Sequence, residues 1–208
     1  MQRREPLTIN ENYHIFNRGV EKRIIFKNSK DYFRFIESII YFNTEIPTRM
    51  LSEEKSYPKD DERLVDVIAY CLNPNHFHLI LREKKENGIA TFMKKICTGY
   101  AMYFNKKYER SGVLFQGRFK SVHIESDDLF LYLSAYVNCN SQIHGIANAL
   151  NYKWCSFSEY IKKEKGIGCQ KDEILKQFRN TKEYKNFCME KVVGMKERKN
   201  MLKFLIEN

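Results

Sequence analysis

The chain is poor in the residues that interrupt or staple a fold. It has 208 residues, with four prolines, nine glycines and one tryptophan. No repeat or low-complexity segment is visible, which excludes collagen-like, linker-like and solenoid architectures. No apolar run approaches the roughly 18 residues of a membrane-spanning helix, so no membrane partner is expected. The opening stretch, MQRREPLTIN, carries no apolar segment behind its arginines. It does not read as a signal peptide, and the expected location is cytoplasmic. Six cysteines are present, at 71, 97, 139, 155, 169 and 188, and none forms a CxxC pair. Zinc-knuckle spacing is missing, and a disulfide framework is not expected in a cytosolic chain. Histidine is also scarce, at five residues.

What remains is a chain able to build a core. Hydrophobic residues make up 43% and aromatics 14%, which suits one domain with an appendage. The net charge is +10, from 36 Lys and Arg against 26 Asp and Glu. Residues 91–123 hold seven bases (Lys94, Lys95, Lys106, Lys107, Arg110, Arg118, Lys120) against one acid, Glu109. Such a segment beside aromatics suits a phosphate backbone, and equally suits a solvated helix face.

Periodicity supplies the element order. NYHIFNRGV (12–20) is rich in β-formers and ends on a turn signal. SKDYFRFIESIIYFNTEI (29–46) shows helical spacing behind a capping Ser29. A polar loop follows at 47–63. LVDVIAYCL (64–72) and HFHLILRE (76–83) read as an antiparallel pair around Asn73-Pro74-Asn75, where proline presets φ. A long amphipathic helix spans 87–108, a basic glycine-containing loop 109–118, and a strand 119–125. Ser126 then caps a helix with two first-turn acids, running to about residue 140. The order is βαββαβ plus a helix. This predicts an α+β, ferredoxin-like antiparallel sheet with helices on one face, the helix after strand four, and a helical tail near 171–179 and 181–204.

Strand alternation gives the strongest chemical signal. His76 and His78 stand at i and i+2, so both project from one face while Phe77, Leu79 and Leu81 point to the other. Two neutral imidazoles side by side are half of a divalent-metal site, or two hydrogen-bonded histidines on a polar face. The last helix offers Tyr132, Tyr136 and Asn140 at i, i+4 and i+8. A tyrosine one turn before an amide places a nucleophile beside a metal ligand, or is amphipathic packing in a chain with 13 tyrosines. His14, His123 and His144 read as satisfied structural histidines.

Taken together, YHIFNRGV, CLNPNHFHLIL, SGVLFQGRFKS and AYVNCNSQIHG resemble, in that order, the REP-associated tyrosine transposases of the HUH superfamily. The resemblance covers about residues 12–160. It implies a catalytic domain at 1–145 and a helical extension at 146–208. It implies Tyr136 as nucleophile, with Tyr132 as fallback, and His76, His78 and Asn140 as ligands of Mg²⁺ or Mn²⁺. The implied reaction is cleavage and strand transfer of single-stranded or hairpin DNA through a 5′-phosphotyrosine, by a monomer or homodimer. Arg118 and Lys120, with Lys94, Lys95 and Arg18, are the expected nucleic-acid contacts. One departure stands out: Asn140 is followed by Ser141 where the family often has proline, which leaves the end of the helix less sharply defined. The competing readings are an inactive, domesticated DNA-binding protein of the same fold, a replication-initiator or relaxase nuclease, and an RNA-binding module. The last would present aromatics on its central strands, where this chain presents histidines.

Overall fold

The structure is a computed structural model that describes residues 7–47, 58–162 and 166–207, with side chains up to Lys199. Four strands, β1 (Asn12–Arg18), β2 (Val65–Asn73), β3 (His76–Glu83) and β4 (Lys120–His123), form one antiparallel sheet in the order β2-β3-β1-β4. That is the ferredoxin-like arrangement expected from the element order. Helices α1 (Ser29–Tyr41) and α2 (Gly88–Lys107) pack on the face that carries Ile15, Phe77 and Leu79. Helix α3 (Asp127–Asn138) crosses the opposite face, against β2 and β3.

The helix starts follow from local chemistry. The cap of α1 is Asn28 rather than the expected Ser29, which becomes the first helical residue. The Asn28 side chain accepts from the Lys30 and Asp31 amides, and Asp31 reaches back to the cap. Asp31 is fully buried and keeps its charge because Lys107 and the Tyr103 and Tyr108 hydroxyls donate to it. At α2 the buried Glu83 carboxylate accepts from the Gly88 and Ile89 amides, an anion placed on the positive end of the helix. A Cβ at Gly88 would meet the Leu64 carbonyl oxygen at 2.3 Å, so glycine is required there. Ser126 caps α3 as expected, accepting from the Leu129 amide.

The predicted loop over 47–63 falls partly outside the described residues; its described end contains a single tight turn at Asp60–Glu62. The tail continues as α4 (Asn140–Ile143), α5 (Phe157–Ile161), α6 (Asp172–Leu175) and α7 (Thr181–Glu207). It runs along the outer edge of β2. Leu72 donates to the Trp154 carbonyl, Ser156 to that of Tyr70, and Gln170 to that of Val67. An open strand edge is a template for unwanted pairing, and this segment covers it. Trp154, Phe157, Tyr160 and Tyr184 add their buried side chains to the same core.

Candidate active site

The register of the sheet decides which side chains share the face that α3 crosses. Paired residues of antiparallel neighbours point the same way. Arg18 pairs with His76, Phe16 with His78 and Lys120, and His14 with Ile80 and Val122. On the other side of β3, Asn73 pairs with His76 and Cys71 with His78. One face therefore presents His14, Phe16, Arg18, Asn73, His76, His78 and Lys120 together.

Four imidazoles lie in a row across this face. His14 Nε2 and His78 Nδ1 are 2.9 Å apart, within hydrogen-bonding distance. The His76 and His78 rings stand nearly perpendicular, with centroids 5.2 Å apart, and His144 follows at 5.0 Å from His76. His76 is clamped at both nitrogens. Its Nδ1 donates to Asn75 Oδ1 (2.6 Å), and its Nε2 accepts from Asn73 Nδ2 (2.9 Å). Burial lowers the pKa of every ring in the row. His14 and His144 are each pushed down to about 4, and His76 and His78 are also lowered, with the neighbouring rings adding to the effect on His78. All four are neutral at pH 7, the form that can ligate a metal.

Helix α3 brings Tyr136 onto the row. Its ring meets His78 and His14 edge-on, with centroids 5.4 and 5.9 Å away. Burial raises its phenol pKa, while the Asn140 amide nearby pulls the other way. The helix stops at Asn138, Cys139 leaves helical geometry (φ −106°, ψ 13°), and Asn140 opens the separate turn α4. The serine after Asn140 thus accompanies a break one residue earlier, and the 132-136-140 stripe is not one continuous helix face. Asn140 still reaches the row: its Oδ1 accepts from Asn73 Nδ2 at 2.6 Å. Tyr132, one turn earlier, faces α7 and lines a different groove with Glu190, Met195 and Arg198.

His76, His78 and His144 of the row, Tyr136 and three cations line a cavity of about 540 Å³. Arg18, Lys22 and Lys120 supply the charge, and Gln116 holds Arg18 through a side-chain hydrogen bond. Arg118 is exposed on the loop that leads into β4. Lys94 and Lys95 are not brought to this cavity, because α2 lies on the other face of the sheet. Lys95 donates to the Thr44 and Ile46 carbonyls, and Lys94 is exposed. Lys107 is committed to Asp31, and Arg110 to Asn105 and Val113. The basic segment 91–123 is dense in sequence but spans both faces in space.

A family model described as "Transposase IS200 like" matches residues 41–140. That stretch contains His76, His78, Tyr136 and Asn140. Over that stretch the chain is similar to the IS200-like transposases. Its fold is that of a solved REP-associated tyrosine transposase bound to a REP hairpin, with a TM-score of 0.56 and 14% identity over 80% of this chain and 89% of that one. Weaker likenesses are to bacterial tRNA(His) guanylyltransferase-like proteins, one in complex with ATP (TM-score 0.39, 10% identity, 69% and 63% covered) and one with GTP (0.41, 8%, 72% and 71%). No curated protein matches. No helix among the described residues is long and apolar enough to cross a membrane.

Whether the pocket suits a divalent cation can be read from its donors. Among the described residues, no group of three His, Cys, Asp or Glu side chains could hold one. A further ligand beside His76 and His78 is then of another kind, and the Asn140 amide stands beside His76. Asn140 qualifies through its Oδ1, which together with His76 Nε2 converges on the Asn73 Nδ2 donor, so two lone-pair donors already face one electropositive group. The pocket fits a cation on these grounds, with the Asn73 amide as its competitor for His76 Nε2.

Several residues of this site are not visible in the sequence as site residues. His14 and Phe16 share the parity of Arg18 along β1, a signal that becomes useful only with the β1–β3 register. Lys22 sits in a tight turn. His144 lies eight residues beyond Tyr136 and reaches the row only because the chain turns at Cys139. His123, by contrast, pairs with Glu11 at 3.0 Å, as a satisfied histidine should.

Proposed function

We propose that this protein is a transposase that cuts and rejoins single-stranded DNA, at hairpin or repeat ends, through a covalent 5′-phosphotyrosine on Tyr136. The observation that carries the reading is the convergence of the Tyr136 phenol, the His76 and His78 imidazoles and three cations on one cavity. The solved relative of like fold is bound to a REP hairpin, which supports the same class of partner here.

A phosphodiester is anionic, so attack on it requires neutralised charge and fixed alignment. Arg18, Lys22 and Lys120 supply the charge at the cavity wall. Tyr136 Oη forms a bond to phosphorus, the bond from phosphorus to the 3′ oxygen breaks, and the phenol proton is lost as the 3′ hydroxyl is completed. The energy of the diester is kept in the tyrosine ester, so a second 3′ hydroxyl can reverse the step on new DNA. His76, His78 and Asn140 would hold Mg²⁺ or Mn²⁺, which when bound supplies Lewis-acid charge to the phosphate. Burial raises the Tyr136 phenol above its ordinary value, so the resting side chain is the neutral phenol. In this reading residues 1–145 carry the chemistry, and 146–208 form a helical extension that braces β2 and α3. The exposed Arg118 extends the cationic rim toward the DNA backbone.

The test is a labelled single-stranded hairpin incubated with the full chain and Mn²⁺, run on a denaturing gel. A protein–DNA band is expected, absent with chelator and absent when His76 and His78 are both alanine. An inactive DNA-binding relative would bind the hairpin and give no band under any condition.

A further inference from the structure

Among the described side chains of the C-terminal helix, Lys199 reaches the pocket wall. Lys199, on α7, donates to the Ile143 carbonyl (3.4 Å) and to His144 Nδ1 (3.1 Å). An ammonium has donors and no lone pair. His144 must therefore offer Nδ1 as acceptor, and its ring hydrogen sits on Nε2. The ring lines the same cavity as Arg18, Lys120 and Tyr136. His76 beside it has the opposite arrangement, with its hydrogen committed to Asn75 through Nδ1 and its lone pair on Nε2.

We propose that His144 is a phosphate-binding residue of this pocket, presenting Nε2–H to a phosphate oxygen, and that Lys199 is the positioning residue that sets its tautomer. The inference rests on the strand-transfer reading above. A phosphate oxygen only accepts hydrogen bonds, so a ring of the other tautomer would set lone pair against lone pair. Adjacent imidazoles in the row then have complementary tasks: His76 offers a lone pair and His144 a hydrogen. With the Lys199 ammonium on Nδ1 the ring carries one hydrogen, on Nε2, so its contribution is directional rather than a further positive charge. The arrangement also gives the 146–208 extension a part in the pocket, through a side chain far from it in sequence.

Hairpin affinity is measured by fluorescence anisotropy on the full chain, with chelator present so that no cation contributes. His144→Ala should weaken binding about tenfold, the size expected for losing one hydrogen bond to a charged group. His144→Gln restores a hydrogen near the Nε2 position and should recover part of the loss. Lys199→Met should weaken binding in the native background and add little to His144→Ala, because it acts through that ring. If Lys199→Met costs the same with and without His144, Lys199 is an independent cation and the positioning role is wrong. Nitrogen-15 NMR of the imidazoles reads the tautomer without DNA: Nε2–H in the native chain, a mixture in Lys199→Met. An unchanged tautomer in Lys199→Met overturns the assignment. If the native chain binds hairpin and forms the covalent band but His144→Ala binds equally well, this inference alone fails. If the native chain does neither, the strand-transfer reading fails and this inference falls with it.

Discussion

Lowering the pH should unfold this protein through its row of buried imidazoles, and His14 gives the size of the effect. His14 is 7% exposed, faces His78, Phe16 and Tyr136, and has its pKa lowered by burial from 6.5 to about 4. In the unfolded chain the ring takes up a proton as pH falls through 6.5, while in the folded chain it stays neutral until about 4. Between those values the unfolded state binds more protons, so stability is greatest above pH 6.5 and falls with acidification. Linkage gives a loss of about 2 kcal/mol from this one ring between pH 7 and pH 5. It gives roughly 3 kcal/mol by pH 4, where the loss levels off. For a chain of this size that is a Tm decrease of about 4–8 °C at pH 5. Urea melts at pH 7, 6 and 5 should show the loss in the native chain. A shallower slope is expected in His14→Gln, whose amide can still accept from His78. Parallel pH slopes for the two proteins would refute the reasoning, since they would mean that His14 is protonated in the folded state as readily as in the unfolded one.

Tyr136→Phe keeps the ring against His78 and His14, so hairpin binding and stability should stay within about 0.5 kcal/mol of native while the covalent band disappears. Tyr132→Phe, in the groove facing α7, should keep the band; the reverse result would move the nucleophile to Tyr132. Lys120→Met should weaken hairpin binding and lower the salt slope of log affinity by about 1. Lys95→Met should leave that slope unchanged and instead loosen the turn after α1, read as a lower melting temperature. Gly88→Ala should cost roughly 2–3 kcal/mol in a urea melt, because its methyl meets the Leu64 carbonyl.

Local rules made the elements legible. Alternation in HFHLILRE put His76 and His78 on one face without any knowledge of neighbours, and β3 has the predicted bounds, His76–Glu83. Ser126 and the two acids after it marked the start of α3 for reasons confined to one helical turn. The order βαββαβ then leaves few topologies, because short antiparallel connections and helical crossovers restrict how strands can neighbour one another. The cap of α1 was misplaced by one residue because Asn28 and Ser29 are both competent caps, and the Asp31 carboxylate decides between them.

The composition of the site was not decided locally. Net charge over 91–123 is a sum along the chain, and it cannot say that Lys95 and Lys107 hold the structure together on one face while Lys120 lines a cavity on the other. Tyr132 and Tyr136 are equivalent by spacing; they separate only because α7 takes one side of α3 and the histidine row takes the other. His14, Asn73, His144 and Lys199 join His76 and His78 through a strand register, a hairpin, a break at Cys139 and the docking of a distant helix. Periodicity within a segment is determined by the geometry of its own backbone, so the sequence by itself determined which residues share a face. Which faces meet depends on burying those faces against one another, and that is settled only when the whole chain packs.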